Sequence, residues 1–194
     1  MRLVLASRNA HKLRELNLLL TPHELVALPD SVELPPETGA TFVENALVKA
    51  RTAASATGMT AVADDSGIEA AALGGAPGIY SARFAGEDAS DEDNLAKLLR
   101  EVPPDGDTRV AYVCALVLVE PGGRELVAEQ RCHGRLTHSP RGEGGFGYDP
   151  AVLPDDYDDG RTMAELTPAE KDAISHRGRA ARELLSLIDG AAAR

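Results

Sequence analysis

Two adjacent carboxylates, Asp64 and Asp65, follow the apolar stretch at residues 60–63 and precede Ser66 and Gly67. If that stretch is a strand, both carboxylates lie at its carboxyl end, where α/β sheets commonly bind ligands. Carboxylate oxygens suit Mg²⁺, which often binds one or two of them together with substrate phosphates. One Asp could instead orient or deprotonate a water molecule. The same residues also favour an Asp-Ser-Gly turn, so the pattern leaves both a site and a turn open.

A second polar segment lies where a predicted strand gives way to a predicted helix, and it reads Ser7, Arg8, Asn9, Ala10, His11 and Lys12. Backbone N–H groups and the dipole at a helix start attract anions. Ser7 and Asn9 can donate hydrogen bonds there, and Lys12 adds positive charge. The G-x-x-x-x-G-K-[ST] pattern of a phosphate-binding loop is absent. Spacing alone favours the simpler interpretation, in which Asn9 caps the helix and Lys12 is solvated.

Other candidate side chains carry weaker signals. Glu37 lies in a proline-rich stretch, and nothing local distinguishes it from a solvated glutamate. Asn45 and Lys49 are four residues apart on a predicted helix and share one face. Glu44 pairs with Thr41 in a capping-box pattern, so it is left out of the site.

Residues 144–150 combine flexible glycines with Phe146, Tyr148 and Asp149. A phenylalanine between glycines can stack on a flat ligand with little obstruction, although the residues alone favour a turn with Phe146 in the core. Further along, His176 and Arg177 fall in the first turn of a predicted helix, where cations oppose the helix dipole. These two donors, with Lys171 nearby, could contact a base carbonyl or a phosphate, or they could be solvated.

The elements that must position these side chains alternate along the chain. Apolar patterns predict strands over residues 2–5, 25–28, 60–63 continuing at 68–72, 109–119 and 125–132. Helical patterns and capping signals predict helices over residues 10–20, 41–57 and 90–100, and two more beginning near 167 and 175. This order indicates an α/β fold with a mixed, elongated sheet. The hairpin at residues 120–123 has no helical crossover, so the sheet is not doubly wound throughout.

The bulk composition excludes several classes of protein. The 194 residues include 20 Lys plus Arg and 31 Asp plus Glu, a net charge of −11 that disfavours general binding to duplex nucleic acid. No apolar run approaches the ~18 residues of a membrane span, and the start of the chain lacks the apolar core of a signal peptide. Cys114 and Cys132 are too few for a disulfide framework. We therefore expect two buried thiols and a cytoplasmic protein.

Taken together and in order, the motifs resemble those of the inosine triphosphate pyrophosphatases, a family of house-cleaning enzymes. The motifs are Ser7-x-Asn9-x-x-Lys12, Glu37-Thr-Gly39, Phe42-x-Glu44-Asn45-Ala46-x-x-Lys49-Ala50, Ala63-Asp-Asp-Ser-Gly67, Leu73 to Arg83, Gly145-Phe-Gly-Tyr-Asp-Pro150 and Ser175-His-Arg-Gly178. The resemblance implies a long mixed central sheet flanked by helices, with two lobes and a cleft between them, usually as a homodimer. It places the domain at residues 1–190, followed by a short tail at 191–194.

The resemblance also implies a reaction, the Mg²⁺-dependent hydrolysis of inosine, deoxyinosine or xanthosine triphosphate to the monophosphate and pyrophosphate. Glu37 and Asp65 would hold Mg²⁺, with Asp64 close by. Asp65 would activate water, and Lys49 would stabilise charge on the phosphates. The implied substrate contacts are Ser7, Arg8, Asn9, Ala10, His11, Lys12, Ser66, Phe146, Gly147, Tyr148, Asp149, Lys171, His176 and Arg177.

Donors such as His176 and Arg177 would match the 6-carbonyl of inosine or xanthosine and mismatch the 6-amino group of adenine. Two other functions stay open at this point. One is a pyrophosphatase that prefers modified pyrimidine nucleotides, and the other is a nucleotide-binding module without catalysis. Phe146 argues against the first, and the presence of both Glu37 and Asp65 argues against the second.

Overall fold

The computed structural model describes residues 1–192 of the chain, with side chains described through residue 190. The strands are β1 (Arg2–Leu5), β2 (Glu24–Ala27), β3 (Ala61–Ala70), β4 (Arg109–Val119), β5 (Glu125–Leu136) and β6 (Val152–Pro154). The α-helices are α1 (Ala10–Leu19), α2 (Phe42–Thr57), α3 (Asp91–Glu101), α4 (Pro168–Ile174) and α5 (His176–Ala192). Short 3₁₀ segments lie at Ala71–Leu73, Gly78–Arg83, Asp149–Ala151 and Met163–Glu165.

The sheet is mixed, as the sequence predicts. Within residues 1–192, six strands form one sheet in the order β2-β1-β3-β4-β5-β6. Strand β1 pairs in parallel with both β2 and β3, whereas β5 and β6 are antiparallel. Every residue of β4 after Arg109 is buried, which fits its uninterrupted apolar sequence and its interior position in the strand order.

Local capping signals predicted the helix boundaries well. Thr41 Oγ1 accepts the Glu44 N–H at the start of α2, and Gly58 ends that helix in the left-handed conformation. Ser90 and Asp93 form a full capping box at the start of α3. Helix α5 includes Ala191 and Ala192 of the predicted tail, whereas residues 193 and 194 lie outside the described residues.

The turn that the residue types left open at the acidic pair does not form. Strand β3 is continuous from Ala61 to Ala70, so Asp64 and Asp65 lie inside a strand and not after its end. Both carboxylates are buried, at 1% and 6% exposure. Buried charges need partners, and cationic side chains on neighbouring elements supply them, which allows the extended backbone to continue where the residue types alone favour a bend.

The chain divides into two compact units. Unit 1 contains Met1–Asp65, Cys114–Gln130 and the residues from Arg177 onward, and unit 2 contains Ser66–Val113 and Arg131–His176. The core of unit 1 includes Leu3, Leu5, Leu16, Val62, Leu116 and Leu184. The core of unit 2 includes Ile68, Leu98, Val110, Leu136, Met163 and Ile174.

Two expectations from composition can be compared with the structure. Cys114 and Cys132 are both buried thiols, as predicted. In the part of the chain that the structure describes, no helix is long and apolar enough to cross a membrane.

Candidate active site

Lys49 links two carboxylates in unit 1. Its Nζ lies 2.5 Å from Glu37 Oε1 and 3.6 Å from Asp65 Oδ1. Helix α2 provides Lys49 and also Asn45, whose Nδ2 donates to Asp65 Oδ2 at 3.0 Å. The i, i+4 spacing on one helix face thus directs both side chains towards β3. The Glu37 and Asp65 carboxylates therefore lie close to the same ammonium group, an arrangement that suits the binding of a cation.

The two aspartates of β3 have opposite electrostatic environments. Burial raises the pKa of Asp65 above its usual range, and attraction to Lys49 offsets this only in part. Burial would also raise the pKa of Asp64, but its attraction to Lys12, Arg177 and Lys49 outweighs burial and holds that pKa well below the usual range. Asp65 is therefore the better proton acceptor, and Asp64 is a fixed anion.

Asp64 anchors a buried network in unit 1. Lys12 Nζ lies 2.9 Å from Asp64 Oδ2, and Arg177 Nη2 donates to the same oxygen at 3.3 Å. Arg177 is only 1% exposed, and its Nη1 donates to Glu15 Oε2 at 2.7 Å. The interpretation of Lys12 as a solvated side chain is therefore wrong. The structure shows Arg177 as an anchor for Asp64, and its contact with a nucleotide stays a prediction.

The start of α1 combines capping with a polar loop. Asn9 Oδ1 accepts the N–H groups of His11 and Lys12 at 2.8 and 3.3 Å, as the capping interpretation predicts. Ser7 Oγ accepts the Asn9 N–H at 3.1 Å. The backbone at Ala10 begins the helix, so Ser7 to Lys12 form one compact segment whose N–H groups lie at the positive end of a helix dipole.

Arg8 lies in the same segment, but its side chain contacts a different part of unit 1. Its guanidinium donates to the carbonyl oxygens of Leu28, Pro29 and Val32 at 3.0, 3.0 and 2.8 Å. These bonds hold the loop that follows β2. The predicted substrate contact of Arg8 stays a prediction, and the contacts observed for its side chain are with this loop.

Unit 2 brings together most of the aromatic and charged residues predicted to bind the base. Asp149, 3% exposed, is their centre. Its Oδ2 accepts Lys171 Nζ at 2.6 Å and the Phe146 N–H at 3.0 Å. Gly145 leaves space for this carboxylate, because an added Cβ would lie 2.0 Å from Asp149 Oδ2.

The glycine-rich loop at residues 144–150 of unit 2 exposes the ring of Phe146 to solvent and buries the ring of Tyr148. Phe146 is 39% exposed, so the alternative that placed it in the core is wrong. Lys171 Nζ lies 5.3 Å from the centre of its ring. Tyr148 is buried, and its hydroxyl donates to the Ser81 carbonyl at 2.7 Å. The Gly147 N–H donates to Asp91 Oδ2 at 2.9 Å. Phe146 is therefore the side chain of this loop that is placed to stack on a flat ligand.

Sequence reasoning missed some residues that the structure adds to these groups. Glu15 accepts a hydrogen bond from Arg177. Tyr112 in β4 contacts both Asp149 and His176. Glu15 could have been found from its place one turn after Lys12 on α1. Tyr112 gave no signal, because an aromatic residue in an apolar strand is expected in a core.

The acidic residues of unit 1 fit a Mg²⁺ ion. Glu37 and Asp65 supply the oxygen donors that Mg²⁺ prefers. Within residues 1–192, no group of three or more His, Cys, Asp or Glu side chains is arranged to hold a metal ion. Mg²⁺ commonly uses one or two protein carboxylates and completes its shell with water and phosphate oxygens. Asp64 Oδ1 is a further buried oxygen acceptor of unit 1, and it has no hydrogen-bond partner among the described residues.

Comparisons with known proteins agree along almost the whole chain. The sequence model of the Ham1 family matches residues 3–187. A dITP/XTP pyrophosphatase of Frankia alni is 52% identical over 200 residues, which cover 97% of each chain. One from Mycolicibacterium paratuberculosis is 50% identical over 196 residues, covering 96% of this chain and 95% of that protein.

Solved structures show the same similarity in three dimensions. A HAM1 protein from Coxiella burnetii superposes with a TM-score of 0.89 at 41% identity, covering 98% of this chain and 99% of the other. A nucleoside-triphosphatase, also named dITP/XTP pyrophosphatase, from Mycobacterium abscessus has a TM-score of 0.76 at 48% identity, covering 95% and 99% of the two chains.

Proposed function

This chain belongs to the Ham1 family, and from that premise we propose that it hydrolyses dITP, ITP and XTP to the nucleoside monophosphate and pyrophosphate. Relatives of about half identical sequence carry the name dITP/XTP pyrophosphatase. The observation that carries the proposal is the convergence of Glu37 and Asp65 on Lys49 Nζ. A module that only bound nucleotides would not need this arrangement of two carboxylates and a cation.

In the proposed mechanism, Asp65 accepts the proton of the water that attacks the α-phosphorus. Burial raises the pKa of Asp65, which favours its acceptance of a proton, and a bound Mg²⁺ would act in the opposite direction. Asn45 fixes the orientation of the carboxylate by donating to Oδ2. Lys49 Nζ donates to the phosphate oxygens that gain negative charge as the bond to pyrophosphate breaks.

Glu37 and Asp65 would hold Mg²⁺ during this reaction. The bound ion would neutralise phosphate charge and acidify water. Lys12 and the positive end of the α1 dipole would attract the triphosphate, because the helix start and the ammonium both favour anions. A small cationic group of this kind allows a polyanionic substrate to bind to a protein with a net charge of −11.

The base would bind to the residues of unit 2. Phe146 would stack on the purine, and Lys171 and His176 would supply donors near its edge. A 6-carbonyl accepts hydrogen bonds from such donors, whereas the 6-amino group of adenine leaves them unmatched. This difference supports inosine and xanthosine nucleotides over adenosine nucleotides as substrates.

The product test uses dITP and Mg²⁺ in water enriched in ¹⁸O. We expect dIMP that carries the label, together with unlabelled pyrophosphate, since the water attacks the α-phosphorus. Release of orthophosphate and dIDP would contradict the proposed reaction. A parallel panel of purine and modified pyrimidine triphosphates at equal concentration separates the proposed substrates from the pyrimidine alternative.

Replacing Phe146 by Ala should raise KM for dITP about 10- to 100-fold, because stacking on an aromatic side chain contributes about 1–3 kcal/mol per base. We expect kcat to change little, since the ring does not touch the reacting atoms. Phe146→Leu keeps an apolar side chain without an aromatic face and is the matched variant. Equal KM values for Phe146→Ala and wild type would remove stacking from the mechanism.

Two further expectations, a homodimer and a cytoplasmic location, belong to the same proposal. The homodimer comes from the family resemblance, and the location comes from the cysteine content. Sedimentation equilibrium of the purified protein tests the first expectation, and fractionation of the source cells tests the second.

A further inference from the structure

Tyr112 connects two parts of unit 2 that lie apart in the sequence. It lies in β4 and is 6% exposed. Its hydroxyl donates to Asp149 Oδ1 at 2.9 Å. Its ring stacks on the ring of His176, with centroids 4.9 Å apart and planes inclined by 10°. One buried side chain therefore contacts both the glycine-rich loop and the first residue of α5.

Asp149 transmits this contact to the rest of the loop. Its other oxygen, Oδ2, accepts hydrogen bonds from Lys171 Nζ and from the Phe146 N–H. Each of its two oxygens therefore has a partner inside the protein, and Asp149 organises the loop. The Tyr112 hydroxyl is the contact that fixes Oδ1.

We propose that Tyr112 is a positioning residue for recognition of the base, acting on Phe146 and Lys171 through Asp149 and on His176 through its ring. This inference rests on the proposed function, because Phe146, Lys171 and His176 matter only if a purine binds to them. The two contacts of Tyr112 are chemically distinct, so substitution can separate them: phenylalanine keeps the stacked ring and removes only the hydroxyl.

The electrostatic environment agrees with this role. Burial, together with the negative charge of Asp149, raises the pKa of Tyr112 well above its usual range. The hydroxyl therefore keeps its proton and remains a donor to Asp149. A phenylalanine would leave Asp149 Oδ1 buried without this donor, and a buried acceptor that loses its partner is unfavourable.

The experiment compares a substrate that has a base with an inhibitor that lacks one. For Tyr112→Phe, we expect KM for dITP to rise about tenfold, with kcat and the inhibition constant of inorganic tripolyphosphate within about twofold of wild type. A purely structural role would change the tripolyphosphate constant as well. Tyr157→Phe is the matched control, since Tyr157 packs at the edge of the same core and contacts Arg161; its KM should stay at the wild-type value.

A double-mutant cycle tests whether the hydroxyl acts through Asp149. If it does, adding Tyr112→Phe to Asp149→Asn should change KM by less than about twofold, because coupled residues are not additive. Independent, multiplying effects would overturn the inference, and so would a Tyr112→Phe variant with the KM of wild type. If the wild-type protein leaves dITP intact, the proposed function and this inference both fail. If the wild-type protein hydrolyses dITP and Tyr112→Phe has the same KM, only this inference fails.

Discussion

Replacing Asp65 by Asn should lower kcat for dITP by about 10³-fold while the protein stays folded. General-base catalysis contributes about 10²- to 10⁴-fold, and an amide neither accepts the proton of water nor carries the charge that Mg²⁺ needs. Burial raises the pKa of Asp65, so the fold disfavours its charged form. An amide of the same size removes this unfavourable charge, and its oxygen can still accept the bond from Asn45. Stability should therefore hold or rise.

The measurement pairs kcat at saturating dITP and Mg²⁺ with thermal unfolding of the same preparation. Asp105→Asn makes the same chemical change at an exposed position in the loop before β4, and it should match wild type in both assays. An Asp65→Asn enzyme that keeps more than a tenth of wild-type kcat would assign the proton to another group.

The sequence predicted the elements of the fold because their signals are local. Capping residues such as Thr41 and Ser90 satisfy backbone groups within a single turn, so the chain carries the evidence for each boundary beside it. The apolar run of β4 likewise predicts a strand buried on both faces. The local signals did not show that β3 continues through Asp64 and Asp65, because its continuation depends on cations that lie far away in the sequence, including Lys12 and Arg177.

The residues of the candidate site were predicted more completely than their contacts. The motifs identified Lys49 and Asp65 by type and order, but no spacing rule shows that Lys49 lies between Asp65 and Glu37. Arg8 illustrates the converse. The family resemblance implies a nucleotide contact for Arg8, which stays a prediction, and the contacts observed for its guanidinium are with carbonyl oxygens about twenty residues away in the sequence. Long-range partners of this kind follow from the tertiary fold and leave no periodic trace in the sequence.

Replacing Asp64 by Asn should destabilise the protein by about 3 kcal/mol at pH 7, the lower end of the cost of breaking a buried ion pair, because Arg177 keeps Glu15 as a second partner. Lys12 Nζ and Arg177 Nη2 both lie close to Asp64 Oδ2. An amide would remove the negative charge from between the buried Arg177 guanidinium and the partly exposed Lys12 ammonium. Since domains have a total stability of about 5–15 kcal/mol, the loss would be a large fraction of the whole.

The pH dependence of this loss identifies its cause. The pKa of Asp64 is lower in the folded protein than in the unfolded chain, so ionisation of Asp64 stabilises the fold at pH values above about 3.9, the ordinary value. That stabilisation disappears as the pH falls towards the folded pKa. Urea unfolding should therefore show a constant difference between wild type and Asp64→Asn from pH 7 to about 5, and a smaller difference below about 4.

Asp65→Asn is the matched control for Asp64→Asn, because the same change one residue along the strand removes a charge that the fold disfavours. We expect the first variant to lose activity and keep its stability, and the second to lose stability. Equal stability of both variants at pH 7 would contradict the assignment of Asp64 as the anchor of Lys12 and Arg177. A difference between wild type and Asp64→Asn that persists unchanged below pH 4 would show that packing, and not charge, is responsible.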